Sequence, residues 1–267
     1  MTTPWFFAAT NTYSGVTDIR SGRTLALIGN GSISQSANII LTGSTLDVSQ
    51  RVDQTLTLAL GQTLQGNGSV TGNLAVGAGS TLSPGGAGAI GTLTAAGLVT
   101  LSGTTAVEVN KTAGTRDQIT TTGAIVYGGT LNVANLAGTL ANNDSFKIFN
   151  GASYSGSFAN IVPATPGSGL AWDTSALVSS GTLKVVTASA ARPTINSISL
   201  SGGQLVLSGT NNGGSGGTYQ ILTSTNLAVP LASWSVLTNG AFNGNGSFAS
   251  TNAIGTNKQQ FYILKQP

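Results

Sequence analysis

Residues 61 to 86 read GQTLQGNGSVTGNLAVGAGSTLSPGG, a run of Gly, Ser, Thr, Ala and Asn with isolated Leu and Val and no charge. Three readings compete: a flexible linker, a glycine-rich phosphate loop, or one piece of a regular scaffold. Spacing decides between them. The pattern Gly-x-Thr-Leu occurs as GRTL at Gly22, GSTL at Gly43, GQTL at Gly61 and GSTL at Gly79. Its leucines are Leu25, Leu46, Leu64 and Leu82, in steps of 21, 18 and 18. GTL returns at Gly91, Gly129 and Gly181. Recurrence at a step of roughly 20 residues marks a repeat architecture. The step from Leu64 to Leu82 then reads as one turn of a solenoid, with Leu64, Val70, Leu74, Val76 and Leu82 in its core.

Within each repeat the local period is that of a strand. TLALIG, ANIILTG, TLTLAL, NLAVG, AVEVN and TLNVANL alternate apolar and small polar residues, as half-buried strands do. Each is closed by Gly, Asn or Ser-Gly, residues that supply turns. Coils of several short strands with tight corners, stacked so that strands pair in parallel, form a β-solenoid.

Composition agrees. Of 267 residues 40% are hydrophobic, so a core can form, while only 6% are charged against about 25% in an average soluble domain. Disordered chains combine low hydrophobicity with high net charge, and a net charge of +3 is not that. The ten basic residues are scattered, so no nucleic-acid footprint is expected. Cys and His are absent, which removes thiol and imidazole catalysis and the usual zinc sites. No apolar run approaches the roughly 18 residues of a membrane-spanning helix. The start, MTTPWFFAATNTYSG, lacks the basic region and apolar stretch of a signal peptide.

NTYSGVTDI (Asn11–Ile19) and GNGSVTGNLAVGAGSTLSPG (Gly66–Gly85) resemble the autotransporter-associated β-strand repeat. The stretches TRDQITTTGAIVYGGTLNV, NNDSFKIFNGASYSGSF and GLAWDTSALVSSGTLKVV resemble the end of such passenger regions, so the resemblance covers residues 5 to 187. It implies a parallel β-helix of a bacterial secreted or surface protein, and no reaction. The chain has no room for the membrane barrel that often ends these proteins. It also opens inside a repeat, so it is read either as part of a longer protein or as having its first coil, FFAATNTYSG, covered by a partner.

Composition changes after TASAARPT, and Arg192-Pro193 reads as a boundary. TINSISL, GQLVLSG, TYQILTS, SWSVLT, GSFAST and QQFYILK then read as six short strands of an antiparallel sandwich. GTNNGGSGG (Gly209–Gly217) reads as a hairpin connection. TYQILTSTNL, SWSVL and QQFYIL resemble C-terminal modules of secreted Verrucomicrobia-type proteins. Trp234, Phe242, Phe248, Phe261 and Tyr262 fall at strand positions and are expected mostly in the core. The sharper alternative is a sugar-stacking surface, for which Trp234 and Tyr219 are the exposed candidates.

The chemistry-bearing residues are few. GAGAIG (Gly86–Gly91) matches G-x-G-x-x-G, and Glu108 follows at the distance of a ribose-binding acid, about 20 residues. A dinucleotide site needs a helix after the loop, and TLTAAGLVTLSGTTAVEV is strand-like, so a solenoid corner is expected instead. The acidic residues are Asp18, Asp47, Asp53, Glu108, Asp117, Asp144 and Asp173. Two close carboxylates are what glycoside hydrolysis commonly uses. Successive coils place Asp18 with Asp47, or Asp47 with Asp53, as the pairs to consider, but surface ion pairs with Arg20, Arg23 and Arg51 are the simpler reading. No calcium repeat is present.

The expectation is therefore an all-β chain: a parallel β-helix (β-solenoid) over 1–187, a linker at 188–193 and a β-sandwich module over 194–267. No catalytic, cofactor-binding or metal-binding residue is assigned, and no cofactor. The expected role is a non-enzymatic extracellular or cell-surface structural protein, a stalk or filament subunit that associates with itself through exposed strand edges. An adhesin that binds surface glycans is the alternative, and a polysaccharide-degrading enzyme the third.

Overall fold

The computed structural model describes residues 4–188, 192–211, 217–257 and 259–266. The chain divides into two compact units, Met1–Ala188 and Ser189–Pro267. Residues 189–191 of the expected linker and 212–216 of the expected hairpin loop lie outside the described residues.

The first unit is a parallel β-solenoid of about six turns. Each full turn lays down three faces. On the first, Thr17–Ile19, Asn38–Thr42, Thr63–Gly66, Thr81–Pro84, Thr104–Asn110, Thr130–Asn135 and Asn160–Val162 pair in parallel. On the second, Trp5–Phe7, Thr24–Leu27, Ser44–Asp47, Gly68–Thr71, Thr92–Ala95, Gln118–Thr121 and Phe149–Asn150 do the same. The third is a separate five-stranded sheet: Thr55–Leu58, Asn73–Val76, Val99–Leu101, Ala124–Tyr127 and Ser153–Gly156.

Alternation along each strand turns every second residue inward, and parallel register stacks like on like. Ile39, Leu64, Leu82, Thr105, Leu131 and Ile161 form one inward column. Leu56, Leu74, Val99 and Ile125 form another, ending at Tyr154. The five expected core residues, Leu64, Val70, Leu74, Val76 and Leu82, are all buried. Outward, Asn38, Thr63, Thr81, Thr104, Thr130 and Asn160 stack in the same way. Neutral hydroxyl and amide columns avoid the repulsion that like charges would meet at the ~4.8 Å spacing of paired strands, which accounts for the missing charge.

The register also corrects the repeat. Leu25 pairs with Leu46 on the second face, and Leu64 with Leu82 on the first. Leu46 and Leu64 belong to different faces: Leu46 stacks on Val70 and Leu64 on Ile39. Two of the three intervals are true turns, and the middle one is a coincidence between faces. Turn length is not fixed either. The first-face partners Ile39, Leu64, Leu82, Thr105, Leu131 and Ile161 follow one another in steps of 25, 18, 23, 26 and 30.

Thr105 is the polar member of its column. It is fully buried, and its Oγ1 finds no hydrogen-bond partner among the described residues. An unpaired buried hydroxyl is destabilising. Thr105→Val, which keeps the shape, is expected to stabilise the unit by about 1 kcal/mol, read as a raised denaturant midpoint.

The last turn is closed. Ser145–Lys147, Thr182–Thr187 and Leu170–Asp173 form an antiparallel sheet, and the Gly181 carbonyl takes the Phe149 N–H from the final second-face strand. A one-turn helix, Leu177–Ser180, inserts Leu177, whose carbonyl accepts the Tyr127 hydroxyl. Tyr127, Phe149 and Phe158 pack ring on ring there, with centroids 5.0 to 5.8 Å apart. Burial holds the Tyr127 phenol above the ordinary tyrosine range.

The second unit has the six expected strands in two three-stranded antiparallel sheets. Gln204–Thr210 lies between Thr194–Ser201 and Ser247–Ala253. Thr218–Ser224 lies between Ser235–Ala241 and Phe261–Lys265. Both sheets contribute to one core of Leu205, Leu207, Tyr219, Ile221, Phe242, Phe248 and Leu264. Phe242 and Phe248 are buried as expected, while Trp234, Phe261 and Tyr262 are half-buried. Tyr219, a candidate only in the sugar-stacking alternative, is 5% exposed, with its ring 4.7 Å from that of Phe248 and 5.1 Å from that of Phe242. A sugar-stacking surface built on Tyr219 is therefore ruled out.

Candidate functional site

The carboxylates weighed as pairs stay apart. Asp18 sits on the first face and Asp47 on the second, and Asp53 lies in the corner before the third. Each is satisfied locally. Arg20 Nε donates to Asp18 Oδ2 at 3.0 Å. Arg51 reaches Asp53 with Nε at 2.9 Å and Nη2 at 3.0 Å, and this bond to Arg51 holds Asp53 below the usual carboxylate range. Asp47 accepts the Thr71 hydroxyl and the Ser49 N–H. Asp144 is buried. Burial alone would raise its pKa, but Lys111 and the Ala141 N–H outweigh that and hold it low.

The pair that does meet is Glu108 with Asp117, which inspection of the sequence does not join. Both are buried, Asp117 completely. Glu108 lies near the end of the first-face strand Thr104–Asn110, on its outer side. The chain then reverses in a short hairpin, with Thr115–Arg116 antiparallel to Val109–Asn110, and brings Asp117 back beside Glu108. Asp117 Oδ2 accepts the Glu108 N–H at 2.7 Å, and the Asp117 N–H returns a bond to the Glu108 carbonyl at 2.8 Å. Its other oxygen takes the Gly91 N–H at 2.7 Å.

These contacts settle the fate of GAGAIG. No helix follows it; Thr92–Ala95 is a strand. The loop bends through positive φ at Gly85, Gly86 and Gly88 and turns two of its N–H groups toward the next turn of the solenoid. Gly88 N–H meets Glu108 Oε1 at 3.2 Å, and Gly91 N–H meets Asp117. Amide groups that converge in a glycine-rich loop bind anions, and here the anion is the protein's own carboxyl pair. The acidic residue spaced as a ribose ligand is thus a partner of the loop itself.

Two carboxyls this close cannot both ionise without repulsion. Burial, then the Glu108 carboxyl, pushes Asp117 up to about 8, against the pull of the Glu108 and Gly91 N–H groups. Glu108 Oε2 is the one carboxyl oxygen here without a hydrogen-bond partner among the described residues. Backbone amides occupy the other three carboxyl oxygens, and both side chains are buried, so the arrangement fastens the glycine loop to the next turn.

A second feature lies at the first turn. Trp5–Phe7 and Thr17–Ile19 pair with the rest of the solenoid on one side only among the described residues. Trp5 is 72% exposed, with Phe6 and Val16 each at 53%. Trp5, Phe7, Tyr13, Val16, Ile19 and Leu25 line a groove of about 530 Å³ together with Asp18, Arg20 and Arg23.

Among the described residues there is no group of three or more potential metal ligands and no helix long and apolar enough to cross a membrane. Comparison with protein-family models, with curated proteins and with solved structures returns no match, so the geometry of the chain itself carries the functional reading.

Proposed function

We propose that this chain is a non-enzymatic structural protein, a stiff β-solenoid that associates with copies of itself in an extracellular or cell-surface setting. The observation that carries the reading is the first turn, where two strand edges flank exposed Trp5, Phe6 and Val16. Unpaired edges accept strands from other chains, and an exposed apolar patch of this kind marks a contact surface. Charge supports a second copy as the occupant. Residues 1–188 carry seven basic and seven acidic side chains, so the solenoid units of two copies meet without net formal repulsion. Asp18, Arg20 and Arg23 bring both signs to one groove, as a self-complementary surface requires. The extracellular setting follows from the resemblance to the autotransporter-associated repeat.

Sedimentation velocity across a concentration series tests the reading. The weight-average mass is expected to rise with concentration. Trp5→Lys with Phe6→Lys is expected to return the protein to the monomer without loss of β structure. A wild-type protein that stays monomeric at the highest soluble concentration overturns the proposal.

A further inference from the structure

We propose, resting on the self-association above, that two copies meet head to head through their first turns and that assembly closes at this dimer instead of growing into a filament. The two ends of the solenoid are built differently, and the difference decides which contacts are possible. At the first turn the core is cut open. Trp5 and Phe7 stand in parallel register with Leu25 and Leu27, both of them buried, so alternation places them in the inward columns. Trp5 is nevertheless 72% exposed, because among the described residues no strand pairs with the other edge of Trp5–Phe7.

At the last turn the columns are covered. Phe149, the last inward residue of the second face, is buried. Tyr154 and Ile161, last on the third and first faces, are half-buried. The Gly181 carbonyl holds the Phe149 N–H. A Cβ at Gly181 would lie 2.1 Å from the Phe149 carbonyl oxygen, so the closing segment rests on that strand with no room for another. The helix Leu177–Ser180 lies against Ser153–Gly156, the last strand of the third face. A copy stacked head to tail would have to displace this closure from two of the three faces. Contact of one end with the other is what a filament repeats. The arrangement that displaces nothing joins open end to open end across a two-fold axis. It uses the same surface on both copies and leaves no open end for a third. With that axis normal to the second face, Trp5–Phe7 meets its counterpart antiparallel, and each unpaired edge is filled. Trp5 of each copy then comes opposite Phe7 of the other, an aromatic cross-strand pair. Asp18 and Arg23 lie in the same groove, so each copy offers both signs of charge to the other.

Distances between single spin labels test the arrangement. The chain has no cysteine, so one introduced residue carries the label. Gly15→Cys marks the first turn, at a position where a Cβ meets nothing within 4 Å. Ser179→Cys marks the exposed side of the closing helix. In the associated protein the Ser179 labels are expected about 50 Å farther apart than the Gly15 labels, twice the height of about six turns at ~4.8 Å per turn. Sedimentation velocity is expected to level off at twice the monomer mass. Equal separations for the two labels, or Ser179 labels that form the closer pair, overturn the head-to-head dimer. So does a mass that climbs past the dimer, although self-association itself then stands. A protein that stays monomeric at every soluble concentration overturns self-association and the dimer together.

Discussion

Gly129→Ala is expected to destabilise the solenoid unit by about 3 kcal/mol, a fall of roughly 10 °C in its melting temperature. Gly129 sits in the corner between the third and first faces, stacked on Gly103, which is itself stacked on Gly77. A Cβ at Gly129 would lie 2.0 Å from the Gly103 carbonyl oxygen and 2.6 Å from that of Ser102. Those atoms are backbone of the preceding turn, so no rotamer change relieves the contact and the two turns must part. The residue is also at φ +54°, where a side chain adds its own strain. Gly15→Ala is the control, since a Cβ there meets nothing within 4 Å and φ is not positive; it is expected to change stability by less than about 0.5 kcal/mol. Thermal and denaturant unfolding of both variants checks the pair. Equal stability of the two would mean that the corners are not close-packed.

Asp117→Ala is expected to cost about 3 kcal/mol or more at neutral pH. It strips the acceptors from two buried N–H groups, those of Gly91 and Glu108, and leaves Glu108 buried without its partner. The wild type should also show an unusual pH profile. The carboxyl of Asp117 holds its proton to about pH 8 in the folded chain and only to about pH 4 when unfolded. Between those values the unfolded chain binds fewer protons, so stability falls as pH rises. The contribution is complete below about pH 4, declines by up to about 1.4 kcal/mol per unit, and is gone above 8. Most proteins lose stability in acid through paired carboxylates, and Asp53 and Asp144, both held low, act in that direction here. Subtracting the profile of Asp117→Asn from that of the wild type isolates the opposing slope; a flat difference between pH 4 and 8 would show that the pair needs no proton.

How much of this is legible in the sequence depends on range. Alternation identifies strands, and it correctly buries Leu64, Val70, Leu74, Val76 and Leu82, because inward and outward positions are fixed by the pleat alone. The turn length is not legible. A motif such as Gly-x-Thr-Leu begins a strand on any face, so Leu46 and Leu64 give an interval that joins nothing. In the sequence Glu108 stands out only as a ribose acceptor and Asp117 only as one of several scattered charges. It takes the hairpin at 110–115 and the register of three turns to bring them under the Gly85–Gly91 loop. The single available signal is the lack of any basic residue between Gly61 and Glu108 to pair with that glutamate.

The corner between the first and second faces has an uneven history of length. It takes single residues at Gly43 and Asn67, seven at 85–91, seven at 111–117 and thirteen at 136–148, while the corners beside the third face stay short in those later turns. The growth in turn length, from the turn that begins at Leu64 to the one that begins at Leu131, is gathered near one edge of the stack, so the inward columns never lose register. Insertions and deletions that evolution or an engineer introduces can therefore accumulate along this edge as a ridge of successive loops. From Gly77 onward the short, glycine-packed edges beside the third face are the spine against which such variation is tolerated.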